Sequence, residues 1–356
     1  MHIRLGVALT GWLVAVLVIP AVAPAASVFT REMDIFEPGQ RWIVYEAAAG
    51  EANRLVVEDL DDDFSQTRLV ETGAPLTVLP DCVAHDGPVA LCPSGPAQIE
   101  LGDGDDVARI SADLPPAFLL EAGDGDDEVS TENTFQPIVS GGNGNDRIRL
   151  GDSRLPGSAN GGSGRDVIYG GPFARSLSGG PGDDLILYQG VTNFVSVVGD
   201  EGNDVLRLRH FPPSSDANGA GGGPGDDVLF VAPPDVPVDP DPPIYIHSWY
   251  LGGDDGRDVL IGGASPDLLF GQAGNDVLIA RDGHPEVVGC GDSFDIAYAD
   301  AEDALHDCEI TLSLPLARIA RLRDALERVS NPRTATSGAL SARAQSTLRQ
   351  FVRGAM

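Results

Sequence analysis

The stretch Gly141–Leu150 reads GGNGNDRIRL, Gly161–Gly170 answers it with GGSGRDVIYG, and Gly179–Leu187 with GGPGDDLIL. Each copy places glycine at its first, second and fourth positions, Asp at its sixth and a large aliphatic residue at its eighth. Paired glycines permit the positive-φ backbone of a tight loop. The aliphatic run after the Asp suits a very short strand. Outward from this centre the pattern continues as LGDGDDVARI from Leu101 and AGDGDDEV from Ala122. Downstream come GDEGNDVLRL from Gly199, GGPGDDVLF from Gly222, GDDGRDVLI from Gly253 and GQAGNDVLI from Gly271. A degraded copy starts at Gly262, and a last echo, CGDSFDIAY, starts at Cys290. Recurrence of this kind marks a solenoid, in which each unit buries its apolar face only against its neighbours.

The pattern resembles the hemolysin-type (RTX) nonapeptide G-G-x-G-x-D-x-U-x of secreted bacterial proteins, where U is a large aliphatic residue. It covers roughly residues 100 to 298. The resemblance implies an all-β fold, a right-handed parallel β-roll or solenoid, with calcium held by the Gly-Asp loops. Independently, such a loop turns carbonyls inward and adds one carboxylate, while calcium asks for about six to eight oxygens. Two stacked loops supply that number where one does not.

In the family's roll, one nonapeptide makes half a turn and two make a full coil. Asp106, Asp127, Asp146, Asp166, Asp184, Asp204 and Asp227 are separated by 21, 19, 20, 18, 20 and 23 residues. That spacing predicts one Asp per coil, stacked along a single edge, with irregular loops such as 114–120, 172–176 and 211–217 on the other. Only Asp258, Asp267 and Asp276 follow at intervals of nine. The expected metal ligands are Asp106, Asp127, Asp146, Asp166, Asp184, Asp204, Asp227, Asp258 and Asp276, with Gly141, Gly161, Gly179 and Gly222 shaping the loops. Asp267 follows Ser265-Pro266 and is discounted; Asp295 follows Ser293-Phe294 and is weaker still. Asp105, Asp126, Asp183 and Asp226 are expected to face solvent. Ile148, Ile168, Ile186, Leu206, Leu229, Leu260, Leu269 and Leu278, two residues after their Asp, should fill a narrow core.

Composition agrees with an ion-binding role. The 356 residues carry 54 acidic side chains against 23 basic ones, all Arg, for a net charge of −31. This acidity excludes a nucleic-acid partner, which needs a basic face. A hydrophobic fraction of 42% argues against disorder. Stacked carboxylates repel, and about eight Ca²⁺ ions would supply roughly +16, so folding and calcium uptake should be coupled.

The flanks differ from the repeat. His2 and Arg4 precede an apolar run from Leu5 to Ile19, and Ala23-Pro24-Ala25 fits a signal-peptide cleavage site. Residues 1–25 are therefore predicted as a signal peptide, and the protein as secreted or extracellular, free or associated with the cell surface. A retained anchor is the competing reading; after removal no transmembrane span is expected. Residues 26–100 should form a β-rich cap, with strands near Trp42–Tyr45, Asn53–Glu58, Arg68–Val70 and Leu76–Leu79. The four cysteines fall in two distant groups, which favours local bridges Cys82–Cys92 and Cys290–Cys308 over a zinc site, whose C-x2-4-C spacing is absent. The roll is expected over 101–298 with a Pro-rich insertion at 232–248, followed by a disulfide-closed cap at 299–314. Tyr245, His247, Trp249 and Tyr250 could form an aromatic platform or pack on the roll. An Arg-rich tail, 315–356, shows helical spacing at Ile319, Leu322, Leu326 and Val329 and again at Leu340, Ala344, Leu348 and Phe351. Capping of the last coil is its expected role, with contact to an anionic surface the alternative.

No H-E-x-x-H and no G-x-S-x-G occurs, and the absence of Lys excludes Lys acylation as in RTX toxins. The expected function is therefore a secreted, non-enzymatic calcium-binding repeat protein with a structural or surface-interaction role. A carbohydrate- or cell-surface-binding adhesin, with a glycan or protein partner, is the first alternative. A polysaccharide-acting β-solenoid enzyme is the second.

Overall fold

A computed structural model describes residues 25–33, 40–60, 66–114, 118–190, 194–209, 218–232, 249–313, 316–329 and 346. The signal-peptide stretch, the insertion from 233 to 248 and the second expected helix fall outside them. Nearly every described segment is a short strand in one of two sheets, of 14 and 15 strands. From Ala97–Glu100 onward successive strands alternate between the sheets, so the chain winds as a parallel β-solenoid.

One coil shows how the repeat makes this shape. Pro137–Asn143 runs in the first sheet and ends on Gly141-Gly142-Asn143. The chain turns through Gly144, Asn145 and Asp146 and enters the second sheet as Arg147–Leu150. An irregular loop then returns it to the first sheet at Gly157–Ser163. The glycine loops thus all lie on one edge and the irregular loops on the other.

Parallel register stacks equivalent residues. Ile148 pairs with Ile168, which pairs with Ile186, and the ladder continues through Leu206, Leu229, Leu260 and Leu278. All seven are at most 1% exposed. The core is one column of aliphatic side chains between two sheets.

The fourth glycine is the least replaceable part of the turn. Gly164 has φ +139°, and a Cβ there would stand 1.7 Å from the Gly144 carbonyl oxygen of the preceding coil. Asp200, Asp254 and Gln272 occupy the second position at φ 71°, 69° and 73°, so that site tolerates a side chain.

The ends of the stack differ from its middle. At the N-terminus, Gln40–Glu46 and Arg54–Asp59 pair in parallel with Ala97–Glu100 and Val107–Ser111, extending the solenoid beyond the repeats. Antiparallel strands 26–33 and 66–71 then lie on these, and the two sheets run on to short edge strands Leu76–Val78 and Val83–His85. The expected bridges Cys82–Cys92 and Cys290–Cys308 are both formed.

The C-terminal helix corrects an expectation. Leu316–Val329 does not cap the last coil. Its Ile319, Leu322 and Leu326 pack on the outer face of the second sheet, among Leu185, Leu187, Val205, Val228, Phe230, Ile261, Ile279 and Tyr298. The strands beneath it, such as Leu185–Tyr188 and Val228–Ala232, are buried on both faces. Their uninterrupted apolar sequences follow from that double burial. Among the described residues no helix is long and apolar enough to cross a membrane.

Trp249 also settles into the core, 4% exposed, with its ring edge-on to Tyr188 at 5.9 Å. Tyr250 faces outward and stacks on Phe270. Tyr245 and His247 lie outside the described residues.

Candidate metal centre

The sixth-position aspartates form a continuous ladder along the glycine edge. Each accepts, on Oδ1, the main-chain N–H of the Asp one coil earlier. Asp106 donates in this way to Asp127, Asp127 to Asp146, Asp146 to Asp166 and Asp166 to Asp184, at 2.7–2.8 Å. Asp184, Asp204, Asp227 and Asp258 continue it to Asp276 at 2.7–2.9 Å. Asp276 then donates to Asp295. Asn53 N–H begins the ladder on Asp106, and Glu309 Oε2 ends it by accepting from Asp295. Every Asp carboxyl in the row is buried.

Their other oxygens are unmatched. Oδ2 of Asp106, Asp127, Asp146, Asp166, Asp184, Asp204, Asp227, Asp258, Asp276 and Asp295 is buried and has no hydrogen-bond partner. An uncompensated buried carboxylate is costly. It must gain a proton, a donor or a cation.

The first-position glycines show which. A Cβ on Gly141 would lie 2.3 Å from Asp146 Oδ2 and 2.3 Å from the Gly161 carbonyl oxygen of the next coil. On Gly161 it would meet Asp166 Oδ2 at 2.3 Å and the Gly179 carbonyl at 2.6 Å; on Gly179, Asp184 Oδ2 at 2.3 Å and the Gly199 carbonyl at 2.6 Å. Gly199, Gly222, Gly253 and Gly271 bring their own aspartates to 2.2–2.5 Å of the same point. Each glycine therefore leaves open a cradle in which a carboxylate oxygen and, in most coils, a main-chain oxygen converge. The Gly179 and Gly199 carbonyls already accept one N–H each, from Gly162 and Gly180, and retain a second lone pair.

Seven cradles are open: those of Asp146, Asp166, Asp184, Asp204, Asp227, Asp258 and Asp276. Three are filled. Leu101, Ala122 and Cys290, each 0% exposed, hold the first position before Asp106, Asp127 and Asp295.

Electrostatics expresses the same conflict. Burial, opposed by the ladder hydrogen bond and reinforced by neighbouring carboxylates, raises Asp204 to about 9 and Asp184 and Asp258 to about 8. Asp106, Asp146 and Asp227 are raised to about 7, and Asp127, Asp166 and Asp276 to about 6. These shifts measure how poorly the edge tolerates bare charge.

The donors are oxygens only, a hard set that suits calcium better than a thiophilic metal. Among the described residues no three Asp, Glu, His or Cys side chains gather as a metal cluster. With one carboxylate per coil, an ion on this edge must draw most of its shell from the main chain, and the glycine loops present main-chain oxygens there.

Other acidic residues sort by position. Asp267 sits on the opposite edge with both oxygens satisfied, by Trp249 N–H at 2.8 Å and Gly263 N–H at 2.5 Å. Asp295 belongs to the ladder despite its weak motif; its spacing of 19 from Asp276 is the signal that carries it. The fifth-position side chains are more than solvated. Asp105 accepts from Asp126 N–H, Asp126 from Asn145, Asp183 from Asn203 and Asp226 from Arg257, forming a second, outer ladder.

A family model for the RTX calcium-binding nonapeptide repeat matches the chain in four copies, over residues 138–153, 160–190 and 252–285. Those segments contain five of the seven open cradles and none of the three filled ones. No curated protein and no solved structure matches the chain.

Proposed function

We propose that this chain of RTX calcium-binding repeats is a secreted scaffold whose roll folds around a row of Ca²⁺ ions on its glycine edge. The observation that carries the reading is the row of buried, partnerless Oδ2 atoms facing glycine cradles. The ligands assigned are Asp146, Asp166, Asp184, Asp204, Asp227, Asp258 and Asp276, with carbonyls such as those of Gly161, Gly179, Gly199, Gly222 and Gly271. Asp106, Asp127 and Asp295, behind side-chain-filled cradles, are assigned to the ladder alone. Seven open cradles stand against the roughly eight ions anticipated from the sequence.

Calcium bound there supplies positive charge between successive carboxylates. The chain supplies the rest. Oδ1 of each Asp fixes the carboxyl in register with the coil before it. The glycine keeps carbon away from Oδ2, and the fourth-position glycine allows the loop to close. Because the Oδ2 atoms are shut from solvent, an ion enters as the coils stack, which couples uptake to folding. The same burial keeps these carboxyls from reaching a macromolecular substrate, so no catalysis is assigned to the edge.

Secretion is supported by the signal-like N-terminus and by two disulfides, which persist in oxidising compartments. A structural or surface-interaction role follows from an elongated scaffold, with a cell-surface glycan or protein as the partner class.

Calcium titration followed by circular dichroism and calorimetry tests the reading. Six to seven ions are expected to bind, and chelation should melt the central coils. Each site at a thousandfold excess over its dissociation constant adds about 4 kcal/mol. Identical spectra and melting with and without calcium would refute it.

A further inference from the structure

On the edge opposite the ladder, two successive irregular loops carry an acidic cluster that the repeats do not explain. Residues 280–286 connect Val277–Ile279 to Val287–Asp292, and residues 299–303 connect Ile296–Tyr298 to Ala304–His306. Glu286 is 2% exposed, and neither of its carboxylate oxygens has a hydrogen-bond donor. Its carboxyl lies within hydrogen-bonding reach of two others, those of Asp303 and Asp282.

Those neighbours are held by the main chain. Asp303 accepts from Glu286 N–H at 3.1 Å on Oδ1 and from Asp300 N–H at 2.6 Å on Oδ2. Asp282 accepts from His284 N–H at 2.9 Å, and its side chain is only 7% exposed. Asp300 accepts from Gly283 N–H at 2.9 Å and pairs with Arg281 at 3.3 Å. Four carboxyls thus face one guanidinium, which lies beside Asp300 and donates to Ser313 Oγ, and one imidazole, His284, which lies against Asp282.

We propose that Glu286, with Asp282 and Asp303, binds a further calcium-class divalent cation on this edge, outside the nonapeptides, tying the last two irregular loops together. The three side chains do not already form a metal cage. Both neighbours lie within reach of Glu286, so an ion takes it with one or both and completes its shell with water and main-chain oxygens. Burial first, and then the neighbouring carboxyls, drive Glu286 far above the ordinary carboxylate range. One shared proton relieves only one charge of the group and leaves an Oε atom unmatched. A divalent ion relieves two charges and uses both kinds of oxygen.

The choice of calcium rests on the reading of the glycine edge, and the experiment separates the two. Full-length protein, E286Q and D184N are dialysed against calcium, and bound metal is counted by atomic emission. Each variant is then melted with calcium and in calcium-free buffer. E286Q should bind one ion fewer than the parent and melt several degrees lower in calcium. In calcium-free buffer it should melt higher than the parent, because the amide needs neither a buried charge nor the proton that suppresses it. This crossing of sign is the signature of an ion. Equal ion counts, with E286Q melting higher in both conditions, would show that the cluster keeps a proton and overturn the proposal. If D184N loses an ion while E286Q does not, the glycine edge stands and only this site falls. If the parent binds no calcium, both readings fall. D282N, whose amide oxygen retains the bond to His284 N–H, provides the same test should E286Q not fold.

Discussion

The first two repeats and the middle repeats make the same loop with opposite fillings. At Asp106 and Asp127 the first position carries Leu101 and Ala122, side chains that join the apolar column. From Asp146 to Asp276 the position is glycine, and the space faces carboxylate and carbonyl oxygen instead. A buried Leu contributes about 1.5–3 kcal/mol of apolar stabilisation, which the middle coils give up. The N-terminal coils are further held by a closed polar network. Tyr45 donates to Glu71, whose other oxygen accepts from the N–H groups of Arg54, Gly73 and Ala74. At the far end Cys290 occupies the glycine position and is bridged to Cys308. On the proposed reading, side chains and a disulfide hold the two ends, while the stability of the middle depends on ions.

Acidity should divide those regions most strongly. Folding raises the ladder aspartates from 3.8 to about 6 at Asp127 and about 9 at Asp204. A carboxyl raised by folding stabilises the native state fully below its unfolded value and loses that contribution as pH climbs through its folded value. Calcium-free protein should therefore be most stable near pH 4 and weaken progressively towards pH 9, as the middle carboxyls are forced to ionise. With calcium the trend should reverse over the same window, since the ion competes with the proton. Residues 101–131 should weaken with pH too, since Asp106 and Asp127 are raised to about 7 and about 6, but hydrogen exchange should find the reversal by calcium only over residues 141–279. Parallel pH profiles with and without calcium, or uniform exchange along the roll, would remove the distinction.

Backbone, rather than filling, decides the next effect. The fourth glycine is present in coils of both types, with φ +122° at Gly104 and +139° at Gly164. Gly164→Ala adds a Cβ 1.7 Å from a carbonyl oxygen in a conformation that alanine avoids. Strain of about 1–3 kcal/mol plus overpacking of similar size should destabilise the roll with or without calcium. Equal loss in both conditions, measured by denaturant unfolding, marks a loop defect rather than a ligand defect. A loss confined to calcium-loaded protein would mean that this glycine serves the ion.

Much of this architecture is legible in the spacing of residues along the chain. Asp spacings of 18–23 residues place one carboxyl per coil on one edge, and the aliphatic residue two places later reports the inward side of each strand. Periodicity does not supply partner geometry. Asp295 reads as weak because Ser293 and Phe294 disrupt its loop, yet ladder membership depends on its register, which is intact. The helix 316–329 lies on the sheet because Leu185, Leu187, Val228 and Phe230 leave a second apolar face uncovered, a consequence of strands with no alternation. Those runs point to a covering element only when both of their faces are read, rather than the inward residue alone. Glu286 has no signal in sequence, since irregular loops share no period and one of its carboxyl neighbours comes from the following coil.

The most direct test exchanges the two fillings. Gly179 has an ordinary backbone conformation, so alanine there meets no φ penalty; only the space beside Asp184 Oδ2 and the Gly199 carbonyl is at issue. Ala122 shows that a Cβ is accepted at this position when no ion need fit, for it is fully buried and its coil is intact. Gly179→Ala should therefore cost one bound ion and about 2–4 kcal/mol in calcium. Without calcium the loss should be smaller, about 1–3 kcal/mol, because the Cβ still crowds Asp184 Oδ2 and the Gly199 carbonyl but no ion is lost. Ala122→Gly should do the reverse at Asp127, losing about 1 kcal/mol in calcium-free buffer and recovering it as the opened cradle takes an ion. Calorimetric stoichiometry and unfolding of the pair decide the matter. If Gly179→Ala keeps the full ion count, the first glycine is a packing residue, and the ions depend on the carbonyls of the loop rather than on the space beneath the carboxylate.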